Sequence, residues 1–250
     1  SFSMIVLEKE LSKPYEMIDM VTTPDGSLVA MVHCNNCTSD LNAWVNLFKE
    51  YQELLGVPVD MNEVFGKLYN HALTGNADCG GLISYNYIAG EPVTGLAEGR
   101  PLFVRSANDK FNLANFMRSH LYASVGVLKI GNDILFNDEK IRVDRITGHG
   151  GLFKTKGVGQ RVLAAAINSP ISVMETAGEG GAWGIALLGS YLVNNEKNQN
   201  LADFLDEVVF AGDAGIEIKP TAEEVAGFNV YIENYKLGLG IEEAAVKCKK

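Results

Sequence analysis

The chain has 250 residues, 47% apolar and 21% charged, a globular composition that excludes a largely disordered protein. Lys and Arg number 21 against 31 Asp and Glu; the formal net charge of −10 repels phosphate backbones and anionic bilayers, so neither nucleic acid nor membrane is expected as a partner. No apolar run reaches the roughly 18 residues that cross a bilayer, no secretory leader is read, and four cysteines are too few for a disulfide scaffold, which fits a cytoplasmic protein.

The first third reads as a β-meander with strands at residues 2–7, 15–22 and 27–33. Thr23-Pro24-Asp25-Gly26 is a turn with a mechanism: Pro presets φ and Gly accepts a positive one. Leu41, Trp44, Val45, Phe48, Tyr51 and Leu55 recur at helical spacing, with Thr38, Ser39 and Asp40 as candidate caps. A second helix is predicted over 61–73. Residues 75–99 are rich in glycine, with a short apolar run at 82–88, and a short strand is expected at 101–105. Leu113, Phe116, Met117, Val125 and Leu128 mark a long helix.

The second half changes rhythm. A strand is expected at 141–147, then Gly148-His149-Gly150-Gly151, a helix over 153–168 stopped by Pro170, and a short strand at 171–174. Gly178-Glu179-Gly180-Gly181 follows. The next segment, 182–192, is apolar nearly all round and predicts a buried helix. This is a βαβα pattern with a glycine turn before each helix. Thr221-x-x-Glu224 is a capping box opening a last helix, whose stripe is Val225, Phe228, Ile232 and Tyr235.

The loop at 148–151 carries the most chemical information. Backbone N–H groups at a helix N-terminus attract anions, and glycine lets a phosphate or sugar approach; a plain strand-to-helix turn explains the same residues. Phe153 stands where a Walker A loop and a Rossmann G-x-G-x-x-G both need glycine, so both patterns fail despite Lys154-Thr155. The second loop could hold the opposite side of one nucleotide, while Gly184 and its alanines fit close helix packing. His33, Cys34, Cys37 and Cys79 offer one close thiol pair, where a structural zinc site uses two, so no metal site is assigned. His149 reads as a loop histidine without a carboxylate partner, Glu179 as a favourable charge near a helix start, Asp40 as a cap, and Asp203, Asp206 and Glu207 as a solvated face.

Taken in order, a strand, Gly150-Gly151, a helix bearing Gln160, a short strand and Glu179-x-x-Ala182-x-Gly184-x-Ala186-x-Leu188 resemble the C-terminal domain of FGGY-family carbohydrate kinases. Tyr87-x-x-Gly90-Glu91, the stretch from His33 to Trp44 and the final helix with Tyr231 and Tyr235 resemble the same family, so the likeness covers essentially the whole chain. Two departures stand out: His149 interrupts the family's glycine run, and Trp183 replaces its usual leucine.

The resemblance implies an α/β fold, the actin-like ATPase (ribonuclease H-like) domain, with a mixed five-stranded sheet flanked by helices. It implies that residues 1–250 are the C-terminal, nucleotide-binding domain of a two-domain sugar kinase, cut just after a Gly-Thr phosphate turn. It implies ATP and Mg2+ as cofactors, with Gly148, Gly150, Gly151, Leu152 and Thr155 at the nucleotide and Glu179 and Gly180 behind them. The partners are then ATP, a sugar such as xylulose or ribulose, and the N-terminal domain of the same polypeptide; a homodimer is compatible with this. No catalytic residue is assigned, because the family's catalytic base lies in the N-terminal domain, and the fragment alone is expected to be inactive. The competing class is a non-catalytic actin-like nucleotide-binding or interaction module; a Rossmann-like dehydrogenase is the third reading, and it lacks the third glycine.

Overall fold

The computed structural model of the chain describes residues 1–194, 199–211 and 215–248. Strands β1 (Phe2–Val6), β2 (Asp19–Thr22) and β3 (Leu28–His33) form an antiparallel sheet in the order β1-β3-β2. The register pairs Met4 and Asp19 with the same Met31. The expected meander is corrected: β3 is central, because the 7–18 connection carries the chain past it. Residue 15 lies in that connection, not in a strand. Its hydroxyl and the Ser12 hydroxyl and N–H all donate to the Glu139 carboxylate, at 2.6, 2.5 and 2.9 Å.

Helices α1 (Ser39–Leu54) and α2 (Met61–Ala72) follow, then a hairpin of β4 (Ile83–Tyr85) and β5 (Leu102–Val104). The long helix α3 (Leu113–Asp133) is the spine: its N-cap Asn112 accepts from Asn115 N–H, and 16 of its 21 residues are buried. A second three-stranded sheet contains β6 (Ile146–Thr147), β7 (Ile171–Val173) and β8 (Ile216–Ile218); β6 runs parallel to β7, and β8 antiparallel to it. Helix α4 (Val158–Ile167) connects β6 to β7, and α5 (Gly180–Asn194) leaves β7 through a 3-10 turn. The short α6 (Leu201–Phe204), α7 (Ala222–Leu237) and α8 (Leu239–Lys247) complete the chain. Among the described residues, no helix is long and apolar enough to cross a membrane.

Three expectations are corrected here. The five-stranded mixed sheet is instead sheets of three, two and three strands, because β6 extends over only two residues; Ile141 N–H is already committed to Leu135 C=O, in the wide turn at Ile134–Asp138 that follows α3. Helix α5 forms, but no residue of it is buried. Helix α4 starts later than its apolar pattern suggests, because Gly157 takes a φ of +80° and cannot belong to the helix.

The capping box is present in full, Thr221 and Glu224 each satisfying the other's backbone N–H. It launches α7 into an aromatic core with α3 and β4. Tyr85, Tyr87, Tyr122, Phe228, Tyr231 and Tyr235 are all fully buried. Two of the tyrosine hydroxyls reach backbone carbonyls in that core: Tyr85 donates to Tyr235 C=O at 2.9 Å and Tyr231 to Ser119 C=O at 3.1 Å.

Candidate functional site

Parallel strands send their outgoing loops to the same edge of a sheet, which is where open α/β folds bind ligands. The loop after β6 and the loop after β7 both leave from such carboxyl ends. The structure joins them: Gly148 N–H donates to Ser172 C=O at 2.8 Å and Gly150 N–H to Ala177 C=O at 2.7 Å. Each loop then makes a 3-10 turn, at Gly151–Phe153 and Glu175–Glu179.

Gly150 sits at φ 110° and ψ −178°, a conformation open to glycine. A Cβ on Gly150 or Gly151 would meet no atom within 4 Å, so the loop's outer face is open space. Phe153 N–H donates to Gly150 C=O at 3.1 Å and Lys154 N–H to Gly151 C=O at 3.2 Å. The N–H groups of Gly151 and Leu152 precede these bonds and find no acceptor within the turn.

Gly148 and Gly180 instead serve packing. A Cβ on Gly148 would lie 2.5 Å from the Phe153 ring, and one on Gly180 would lie 2.8 Å from His149 Cβ and Nδ1. His149 is therefore pressed onto the start of α5, and burial pushes its imidazole below the ordinary value. Across the same junction, Lys154 Nζ pairs with Glu179 Oε1 at 3.0 Å.

The structure thus brings Gly148, Gly150, Gly151, Glu179 and Gly180 together. Leu152 and Thr155 stand apart from that open face. Leu152 packs on the core and its carbonyl lies 2.6 Å from the point a Gly159 Cβ would take; Thr155 C=O accepts Val158 N–H at 3.3 Å. Gln160 is a clamp: its buried amide donates to Ile171 C=O at 3.1 Å and Ile216 C=O at 2.7 Å, tying α4 to β7 and β8.

Other residues singled out in the sequence are structural. Glu91, fully buried, accepts from Asn35 N–H at 2.9 Å and Asn36 N–H at 3.1 Å, fastening the loop after β3. All four cysteines are free thiols. Asp40 does not cap α1; its Oδ2 lies 3.6 Å from His120 Nδ1, which also meets Ser84 Oγ at 2.8 Å. Burial pushes the His120 pKa down against the pull of Asp40, and Trp44 and Phe116 wall the ring at centroid distances of 5.3 and 4.5 Å. Sequence reasoning missed this knot and the Lys154–Glu179 bridge, since each joins residues from separate elements. The only local hint of the bridge was Lys154 closely following a glycine loop.

The sequence pattern of the FGGY family of carbohydrate kinases, C-terminal domain, matches residues 1–193. The fold is shared with solved structures of low identity. Ligand-bound xylulose kinase from Lactobacillus acidophilus superposes with a TM-score of 0.68 at 17% identity, over 97% of this chain and 46% of that one. Gluconate kinase from the same organism gives 0.68 at 16% identity over 96% and 45%, and Plasmodium falciparum glycerol kinase with ADP gives 0.63 at 14% over 96% and 45%. No curated protein matches the chain by sequence. The architecture is therefore that of a carbohydrate-kinase domain with an actin-like α/β fold. The chain belongs to the FGGY family of carbohydrate kinases, matching its C-terminal domain, and spans less than half the length of these structures.

Proposed function

We propose that this chain is the nucleotide-binding half of an ATP-dependent kinase that phosphorylates a hydroxyl of a pentulose, xylulose or ribulose. The observation that carries the reading is the junction of the two glycine loops at the carboxyl ends of β6 and β7, made by the 2.7 Å bond from Gly150 to Ala177. The residues fit a nucleotide. Gly150 and Gly151 present backbone with open space before it, and Gly151 and Leu152 offer N–H donors. An acidic protein binds a polyanion best through such neutral backbone dipoles.

Bound here, ATP with Mg2+ supplies the phosphoryl group. On this reading the chain contributes the backbone cradle, and the magnesium arrives with the phosphates. Glu179 and Gly180 flank it, and Leu152 contributes its backbone N–H alone. The sugar, and the base that takes the proton of its hydroxyl, belong to the N-terminal domain of the same polypeptide. Closure of one half on the other excludes water from the transferring group. The fragment alone phosphorylates no sugar on this reading.

Titration of Mg-ATP into the chain tests it. Gly151→Val adds a side chain into open space on a backbone without positive φ, so the fold should persist while ATP affinity drops by about 1–3 kcal/mol, the scale of a lost buried polar contact. His149→Ala, the control, should change affinity little. If Gly151→Val both melts and binds ATP like the parent, the site is elsewhere.

A further inference from the structure

Lys154 and Glu179 belong to different glycine loops, and their 3.0 Å bridge spans the mouth between them. The pair is exposed, with side chains 62% and 77% accessible, and among the described residues each side chain bonds only the other. Gly178 makes room for the lysine: a Cβ there would sit 3.3 Å from Lys154 Cε and 3.6 Å from Cγ, so the aliphatic stem lies across the second loop. Lys154 also closes the turn that displays Gly151, through its own N–H. An ammonium on a four-carbon stem thus stands one turn from the open glycines.

Resting on the nucleotide reading above, we propose that Lys154 is a phosphate-positioning residue and that Glu179 is its resting partner, displaced when the nucleotide enters. An exposed ion pair is weak and exchanges readily. A phosphate chain carries several negative charges and more acceptor oxygens than one carboxylate, so it outcompetes Glu179 for the ammonium. Freed, Glu179 stays in favourable surroundings, just ahead of the first turn of α5, where a negative charge complements the helix dipole. The exchange gives an acidic protein a cation at the phosphates only when phosphates are present, and otherwise straps the two loops together.

The test separates phosphate from nucleoside. ATP and adenosine are titrated into the whole chain, in the parent, Lys154→Met and Glu179→Gln, by calorimetry or through the fluorescence of Trp183 beside the loop. Lys154→Met should weaken ATP by about 3- to 5-fold and leave adenosine unchanged, the range for a single exposed charge. Glu179→Gln should tighten ATP by about 2- to 3-fold, because the competitor is gone, and both effects should shrink in high salt. Equal losses for ATP and adenosine in Lys154→Met would make the bridge a structural strap and overturn the proposal, as would weaker ATP binding in Glu179→Gln. Unchanged ATP binding in both variants ends this proposal alone, whereas failure of the parent chain to bind ATP removes the nucleotide reading and this inference with it.

Discussion

Helices α4 and α5 are both apolar and both follow a glycine loop, yet eight of the ten residues of α4 are buried and none of the fifteen of α5 is. Helix α4 lies among α3, α7 and the second sheet, and Gln160 bolts it to two strands. Among the described residues, helix α5 meets little beyond its own entry turn and the segment around α6: Trp183 stands edge-on to Phe210 at 5.8 Å, Tyr191 lies 5.4 Å from Phe204, and its hydroxyl donates to Gln199 C=O at 2.8 Å. Ile185, Leu192 and Val193 are each more than 70% exposed. Apolarity makes burial favourable, but a helix is buried only where another element arrives to cover it.

The largest effect should come from putting a charge where α4 is closed. Val162 is 2% exposed, and Val162→Asp would strand a carboxylate in the core, at a cost of about 4 kcal/mol or more. Denaturant unfolding should show the domain lost or barely stable. Near-normal stability would mean that α4 is as free as α5, and the contrast would collapse.

Next comes the clamp. Gln160→Ala removes two donors from carbonyls of β7 and β8, with an expected loss of about 1–3 kcal/mol. The same change in α5 has no counterpart, since α5 holds no strand. An unaltered melting curve for Gln160→Ala would show that α4 is kept in place by apolar packing alone.

A smaller effect concerns the tie from α4 to α7. Arg161 reaches Glu224 with Nη2–Oε1 at 2.6 Å, and Glu224 also accepts from Thr221. Burial works to raise the Glu224 pKa, but the Thr221 backbone N–H and hydroxyl, followed by Arg161, outweigh it and hold the carboxyl below its ordinary value. A depressed folded-state pKa adds stability above the unfolded value, near 4.3, and loses it as pH falls through the folded one. Arg161 is 43% exposed, so the gain is under about 1 kcal/mol. Melting temperatures of the parent and Glu224→Gln should differ near neutral pH and converge as pH falls below about 4. A gap that persists at low pH would assign the tie to packing, not charge.

What the sequence revealed follows the range of the forces involved. The turn at Pro24-Asp25-Gly26, the capping box of Thr221 and Glu224 and the existence of nearly every long helix depend on neighbours within a few positions. Strand order did not, because placing β3 between β1 and β2 depends on how a twelve-residue connection crosses the sheet. Strand β8 and helix α8 were missed as short segments whose partners lie far away in sequence. At the site, the glycine loops were visible as glycines, but their junction through Gly150 and Ala177 and the bridge from Lys154 to Glu179 join positions 27 and 25 residues apart. The apolar pattern of 182–192 correctly gave a helix and wrongly gave its burial, since a side chain's polarity says what it favours and nothing about whether a partner is near.

The smallest expected effect sharpens the contrast most. Ile185 is 71% exposed, so Ile185→Asp forfeits little transfer energy, and the modest helix-propensity difference between Ile and Asp is all that remains. Unfolding free energy should stay within about 0.5 kcal/mol of the parent, as for most surface substitutions. The same variant should be more soluble, because an exposed apolar stripe has been interrupted by a charge. Placed beside Val162→Asp, it is one chemical change of matched kind on two helices of matched polarity, so the difference between the two reads burial directly. Should Ile185→Asp unfold the domain as Val162→Asp does, Ile185 must be covered in solution, and the contrast between the two helices would fall. A small change in stability together with higher solubility would instead establish that α5 is a formed helix held at its two ends, with its apolar side facing water.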